Sequence, residues 1–186
     1  MDLSSAMPGA LRRAVLAAAG TRCDAPRVER LLQALTTASM ENDRWVYFQG
    51  LVQVSEPAQV EKLLDDALAG RMPRTQAGRL AHSLAWNNWR GEQVMAHLLR
   101  HWPAWKALVG DSAFGPLPWL LPGTARNSMD PTMPERLAAA QTQHLGTTGQ
   151  SPVAQATATM RTRQQWRARE LDTLGPAVQA LRLPAP

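Results

Sequence analysis

An all-α fold is the class this sequence predicts, and three observations carry it. Ala and Leu dominate the apolar residues, Val is sparse and Ile is absent, a composition that favours helices over sheets on propensity alone. Proline, glycine and polar caps punctuate the chain at intervals that suit short helices. Between those marks, apolar residues recur at helical spacing. With 186 residues, 45% of them hydrophobic, the chain is long enough to bury a real core within one domain.

Taken in order, PGALRRAVLAAA over 8–19 reads as a helix stopped by Gly20. Asp24 is placed to cap a second helix over 25–38, with Val28, Leu31, Leu32 and Leu35 on one face. Residues 41–54 are ambiguous. WVYFQGLVQV is rich in β-formers, yet Trp45, Phe48, Leu51 and Val52 also fit a helical stripe. Ser55 suits an N-cap before EPAQVEKLLDDALAG, and Gly70 suits its stop. Val60, Leu63, Leu64, Ala67 and Leu68 form the apolar face of that helix.

Pro73 opens a helix through Ala85, and NNWRG is a turn. A longer helix is predicted over 91–109 with a bend at Pro103. The Pro-rich stretch 113–130 predicts a short helix and a loop. Helices follow over 131–144 and 151–182, separated by the GTTGQS turn. The sum is about eight or nine short antiparallel helices, which stack as an irregular α-solenoid of the HEAT or armadillo kind or as an irregular bundle. Helical pairs fill 8–110, a looser region lies at 111–134, and the C-terminal helices occupy 131–182. No tight internal repeat is visible.

Charge and cysteine content narrow the function classes. Net charge is +5, almost all of the cations being Arg, with Lys only at 62 and 106. Acids are interspersed along most of the chain, which points to a solvated surface and away from a nucleic-acid or membrane binder. Cys23 is the single cysteine, so no disulfide framework exists. No apolar run approaches the ~20 residues of a membrane span. Arg12-Arg13 before AVLAAAG is at the short limit for a signal peptide and follows an acidic Asp2, so no targeting segment is expected and the compartment is left open.

HLLRH, His97 to His101, places two imidazoles four residues apart on one helical face. The zinc peptidase motif H-E-x-x-H shares that spacing, but its carboxylate is replaced here by Leu98. No third ligand follows downstream, so the expectation is two surface or half-buried histidines beside Trp102 and Trp105, with no metal. Cys23 lies beside Arg22, which would lower its pKa, but no His is near in sequence. Ser4, Ser5, Ser112 and Ser128 lack nucleophile-elbow glycines. GTTGQS lacks the Lys of a phosphate loop. Asp65 and Asp66, adjacent on a helix, diverge by about 100° and are expected to be solvated. RTRQQWRAR, 161–169, spreads its arginines round the helix, so a solvated helix that buries Trp166 is expected.

The order of these pieces carries a resemblance. LRRAVLAAAG, then RVERLLQALTTASMENDRWVYFQGLVQVSEPAQVEKLLDDALAG, resembles the C-terminal helical domain of the gluzincin zinc aminopeptidases, in which an S-x-P turn opens a helix ending in ALxG. MPRTQAGRLAHSLAWNNWRGEQVMAHLLRHWPAW is similar to that family's next block, a Pro-led helix, an Asn turn and a helix closing on a Trp, here Trp102. Met95 stands near where the family often has another Trp, and Trp166 matches the Trp of its last helix. The likeness spans most of the chain from residue 8, but it consists of loose helical patterns. H-E-x-x-H and the Gly-x-Met-Glu-Asn exopeptidase loop are missing.

The resemblance implies an irregular superhelix that packs over a catalytic domain and encloses its substrate chamber. The chain would then be a non-catalytic domain of a longer enzyme that removes N-terminal residues from peptides. Its partners would be the catalytic domain of the same polypeptide and, in the full enzyme, peptide substrates. Zinc would sit in that missing domain, so no cofactor belongs to this chain. Arg126, Arg161 and Arg163 are the candidates for meeting peptide carboxylates. A free-standing helical scaffold that binds a protein or peptide is the alternative.

Overall fold

The structure, a computed structural model, describes residues 9–21, 23–87, 90–111 and 115–180. Among these the protein is all-helical, with ten helices and no strand. They are α1 (Gly9–Gly20), α2 (Ala25–Thr37), α3 (Glu41–Leu51), α4 (Pro57–Leu68) and α5 (Arg74–Asn87). The second half holds α6 (Gly91–Arg100), α7 (Trp102–Val109), α8 (Leu117–Ala125), α9 (Met133–His144) and α10 (Gln150–Ala180).

The N-terminal helices pack as α1 and α2 against α3. Helices α1 and α3 cross where both are bare. A Cβ on Gly20 would overlap the Gly50 carbonyl oxygen, and one on Gly50 would come 3.2 Å from that of Leu16. The ambiguous 41–54 segment is helical. Phe48 and Leu51 enter the core, and Val52 and Val54 follow them in the succeeding turn, so its β-formers serve packing instead of a sheet. Asp24 caps α2 as expected, accepting from Arg27 N at 3.0 Å. Ser55 does not cap α4. Glu56 takes that position and Ser55 Oγ donates to the Thr21 carbonyl at 3.2 Å. Gly70 follows α4 with φ +73°, the left-handed region that glycine enters without strain.

The middle layer packs α4, α5 and α6 on one another. The helix expected over 91–109 is two helices, which accounts for the higher count. His101 leaves helical geometry at φ −115°, ψ 28°, and Pro103 starts α7 in its first turn, where its missing N–H costs nothing. Arg74, at the start of α5, donates to the carbonyls of Leu108 (3.1 Å) and Ala107 (3.0 Å) and so satisfies the end of α7.

The Pro-rich region is more ordered than a loop. Helix α8 runs through Pro122 and touches α5, α6, α9 and α10. Every residue of α8 is buried except Trp119, which is 51% exposed. A helix apolar on all sides belongs at the centre of a fold, and α8 sits there, wedged between the middle layer and α9–α10. The buried apolar side chains form one continuous cluster from Cys23 to Met160.

Two expectations about burial are corrected. Asp66 is not solvated. It is buried, held by Lys62 (2.6 Å) and Arg71 (2.9 Å), and both cations also reach Glu29 on α2. Trp166 is not buried but 56% exposed, and Leu174 on the same helix is 50% exposed. No helix among the described residues is long and apolar enough to cross a membrane.

Candidate functional site

Helices α4 and α6 lie side by side, joined by a polar ladder. Gln93 Nε2 donates to the Pro57 carbonyl (2.8 Å), Arg100 pairs with Glu61, and His97 Nε2 lies 2.9 Å from Asp65 Oδ1. Asp65, His97 and His101 thereby offer ligand atoms within 4.8 Å of one another. Sequence reasoning missed this carboxylate because it lies upstream, on α4, and the search for a third ligand ran downstream of His101. His97 is also fully buried, where a surface or half-buried histidine was expected. The spacing on α4 that turns Asp66 towards Arg71 turns Asp65 to α6.

The chemistry of His97 argues against coordination. Trp105 Nε1 donates to His97 Nδ1 at 3.2 Å within the core. An indole N–H is a donor only, so Nδ1 is the acceptor and the ring proton stands on Nε2, pointing at Asp65. A metal-binding imidazole needs a free lone pair on one ring nitrogen, Nε2 or Nδ1, with the proton on the other donated to an acceptor. Here the Nδ1 lone pair faces a donor. The cluster is a histidine with a fixed tautomer that ties α4, α6 and α7 together. The His101 ring lies 4.6 Å from it, tilted by 38°.

The other nucleophile candidates are equally occupied. The Cys23 thiol is buried and its pKa is raised, chiefly by desolvation, although Arg27 opposes the shift. It is a poorer nucleophile than a free cysteine; Arg22 lies outside the described residues. Ser128 Oγ donates to Glu92 Oε1 at 3.0 Å and accepts from Asp130 N at 3.1 Å, with no histidine in that network. Ser4, Ser5 and Ser112 lie outside the described residues.

A second feature joins residues far apart in sequence. A cleft of about 360 Å³ opens between α5, α8 and α10, lined by His82, Trp119, Pro122, Arg126, Pro152 and Ala156 among others. A hollow of similar size, sharing His82 and Trp119, adjoins it and reaches Arg79. Gly123 lets His82 enter, since a Cβ there would overlap His82 Nδ1. Burial, and then the nearby Arg126 charge, hold the His82 pKa below its ordinary 6.5. The Arg126 guanidinium lies over the Trp86 ring, 5.0 Å from its centroid. Its Nε is buried with no hydrogen-bond partner.

The three predicted arginines therefore separate. Arg126 lines the cleft. Arg163 bonds to the Asn127 side chain and, at 3.4 Å, to the Arg126 carbonyl, so it fastens α10 to the end of α8. Arg161 is exposed on α10. Trp119 and His82 carried no signal in the sequence as site residues, because only the packing of α5 on α8 brings them together. A wider hollow of about 820 Å³ between α1 and α3 holds the Arg12–Asp43 pair (2.9 Å). Comparison with known proteins finds no matching family model and no matching curated protein.

Proposed function

We propose that this chain is a non-catalytic helical module that docks on a larger partner through α10. The observation that carries the reading is Trp166 and Leu174, each half-exposed or more on one long helix. Exposed aromatic and aliphatic side chains of this size are typical anchors of protein interfaces. In its fullest form the module is the chamber-capping domain of a zinc aminopeptidase, its helix pairs stacked as an irregular superhelix. The ordered resemblance of the sequence supports that form, and Trp166 is the position that matches the family's last helix. The chain's own chemistry fits a non-catalytic role, because His97, Ser128 and Cys23 are all engaged or buried.

The test begins with the sequence encoded upstream of Met1. An H-E-x-x-H domain in the same frame, whose turnover or peptide-length preference changes when these 186 residues are removed, is the expected result. A frame without a peptidase, and a longer chain without aminopeptidase activity, would reject the capping form. The second reading is a free-standing scaffold, favoured by the cleft at Trp119 and Arg126. It predicts capture of a ligand by the isolated chain.

A further inference from the structure

The cleft between α5, α8 and α10 has properties that its role in the fold does not require. Helix α8 buries all its other residues, yet presents Trp119 to solvent at the cleft wall. Pro122, Pro152 and Ala156 add further apolar surface without polar groups on their side chains. Arg126 stands in the same wall. It has no ion pair among the described residues, and its buried Nε lacks a hydrogen-bond partner. A buried guanidinium N–H without an acceptor is costly, and such orphans call for an explanation. Among the described residues no Asp or Glu lines the cleft or the adjoining hollow, while Arg126 lines the first and Arg79 the second. The local charge is thus positive and uncompensated by the cleft's own walls.

The cation–π contact with Trp86 restrains the Arg126 guanidinium, and a restrained side chain loses less freedom when it meets an anion. The volume, about 360 Å³, is at the small end of the range for organic ligands, roughly 300–1,000 Å³. These features select an apolar ring with one anionic group at its end. We infer that the cleft is a binding site for small aromatic carboxylates, with the ring against Trp119 and the prolines and the carboxylate on Arg126. The His82 imidazole, stacked on Trp86, offers one further polar contact beside the ring. This site is independent of docking through Trp166 and Leu174, because neither lines the cleft.

The experiment is calorimetric titration of the full chain with 3-phenylpropionate, in parallel with 3-phenylpropanol, which lacks the charge, and propionate, which lacks the ring. Saturable one-to-one binding of 3-phenylpropionate is expected, at least about tenfold tighter than either control. Arg126→Gln should weaken it by about tenfold or more while leaving affinity for the alcohol unchanged. Trp119→Ala changes an exposed side chain, so folding should survive, and it should weaken both ring-bearing compounds. The inference is overturned if 3-phenylpropionate shows no saturable binding up to about 10 mM. It is equally overturned if the folded Arg126→Gln and Trp119→Ala proteins bind it as the parent does.

Discussion

Trp105 and His97 lie on successive helices and share one buried hydrogen bond, from the indole N–H to imidazole Nδ1 at 3.2 Å. That bond decides what HLLRH can do. It assigns the His97 proton to Nε2, where Asp65 receives it at 2.9 Å, and so spends on hydrogen bonding the lone pair geometry a metal would need. The parent protein should show no zinc-dependent rise in melting temperature. Trp105→Phe should cost about 2–4 kcal/mol, from lost packing and an unpaired Nδ1. It should also permit the other tautomer, so a zinc-dependent rise should emerge in that variant. Calorimetry with and without zinc checks both. A zinc response already present in the parent would refute the tautomer assignment.

Asp66 joins α4 to the turn after it and, through Lys62 and Arg71, to Glu29 of α2. The carboxylate is buried but its cations are about two-fifths exposed. Removing the acid leaves them free to return to water. The cost of Asp66→Asn should therefore be about 1–2 kcal/mol, below the roughly 3–5 kcal/mol of a fully buried pair. Urea unfolding measures it, and a change near zero would place Asp66 among ordinary surface pairs.

The close crossing of α1 and α3 rests on Gly20. Alanine there improves helix propensity by up to about 1 kcal/mol. Its Cβ, however, meets the Gly50 carbonyl, a backbone atom that cannot swing aside. A net loss of about 2 kcal/mol or more is expected, with faster amide exchange in α1 and little change in α8. Equal or greater stability would show that the helices can separate without cost.

His82 gives the fold an acid-side sensitivity. Its folded pKa lies below the ordinary value of 6.5, so the unfolded chain takes up this proton first as pH falls. The contribution of the neutral ring is full above about pH 6.5 and is lost progressively below it, until the folded form protonates as well. Urea midpoints should fall from about pH 7 to about pH 5, and His82→Asn should flatten that slope. Parallel slopes in the two proteins would remove His82 as the cause.

Much of the helical pattern is legible in the chain. Asp24 caps where a capping residue should, Gly70 turns where a glycine stop should, and Val60, Leu63, Leu64 and Ala67 are buried on one face. What escapes is decided by partners distant in sequence. A single run over 91–109 becomes two helices because Pro103 fits a helix start better than a helix interior. Asp66 is buried because Arg71 and Lys62 cover it, and Trp166 is exposed although Val153, Ala156 and Met160 earlier on α10 are buried. The cleft is not legible in the chain: Arg126 is a candidate there only beside Arg161 and Arg163, for peptide carboxylates, and His82 and Trp119 gain meaning only from the contact of α5 with α8.

Side-chain oxidation of Trp166 tests the docking account most directly. The 186-residue chain and the longer polypeptide that includes the residues encoded upstream are footprinted side by side with hydroxyl radicals. Trp166 should be oxidised readily in the shorter chain and protected in the longer one, while exposed Met40 on the far side of the sequence reacts alike in both. Equal oxidation of Trp166 in the two polypeptides would contradict docking through α10.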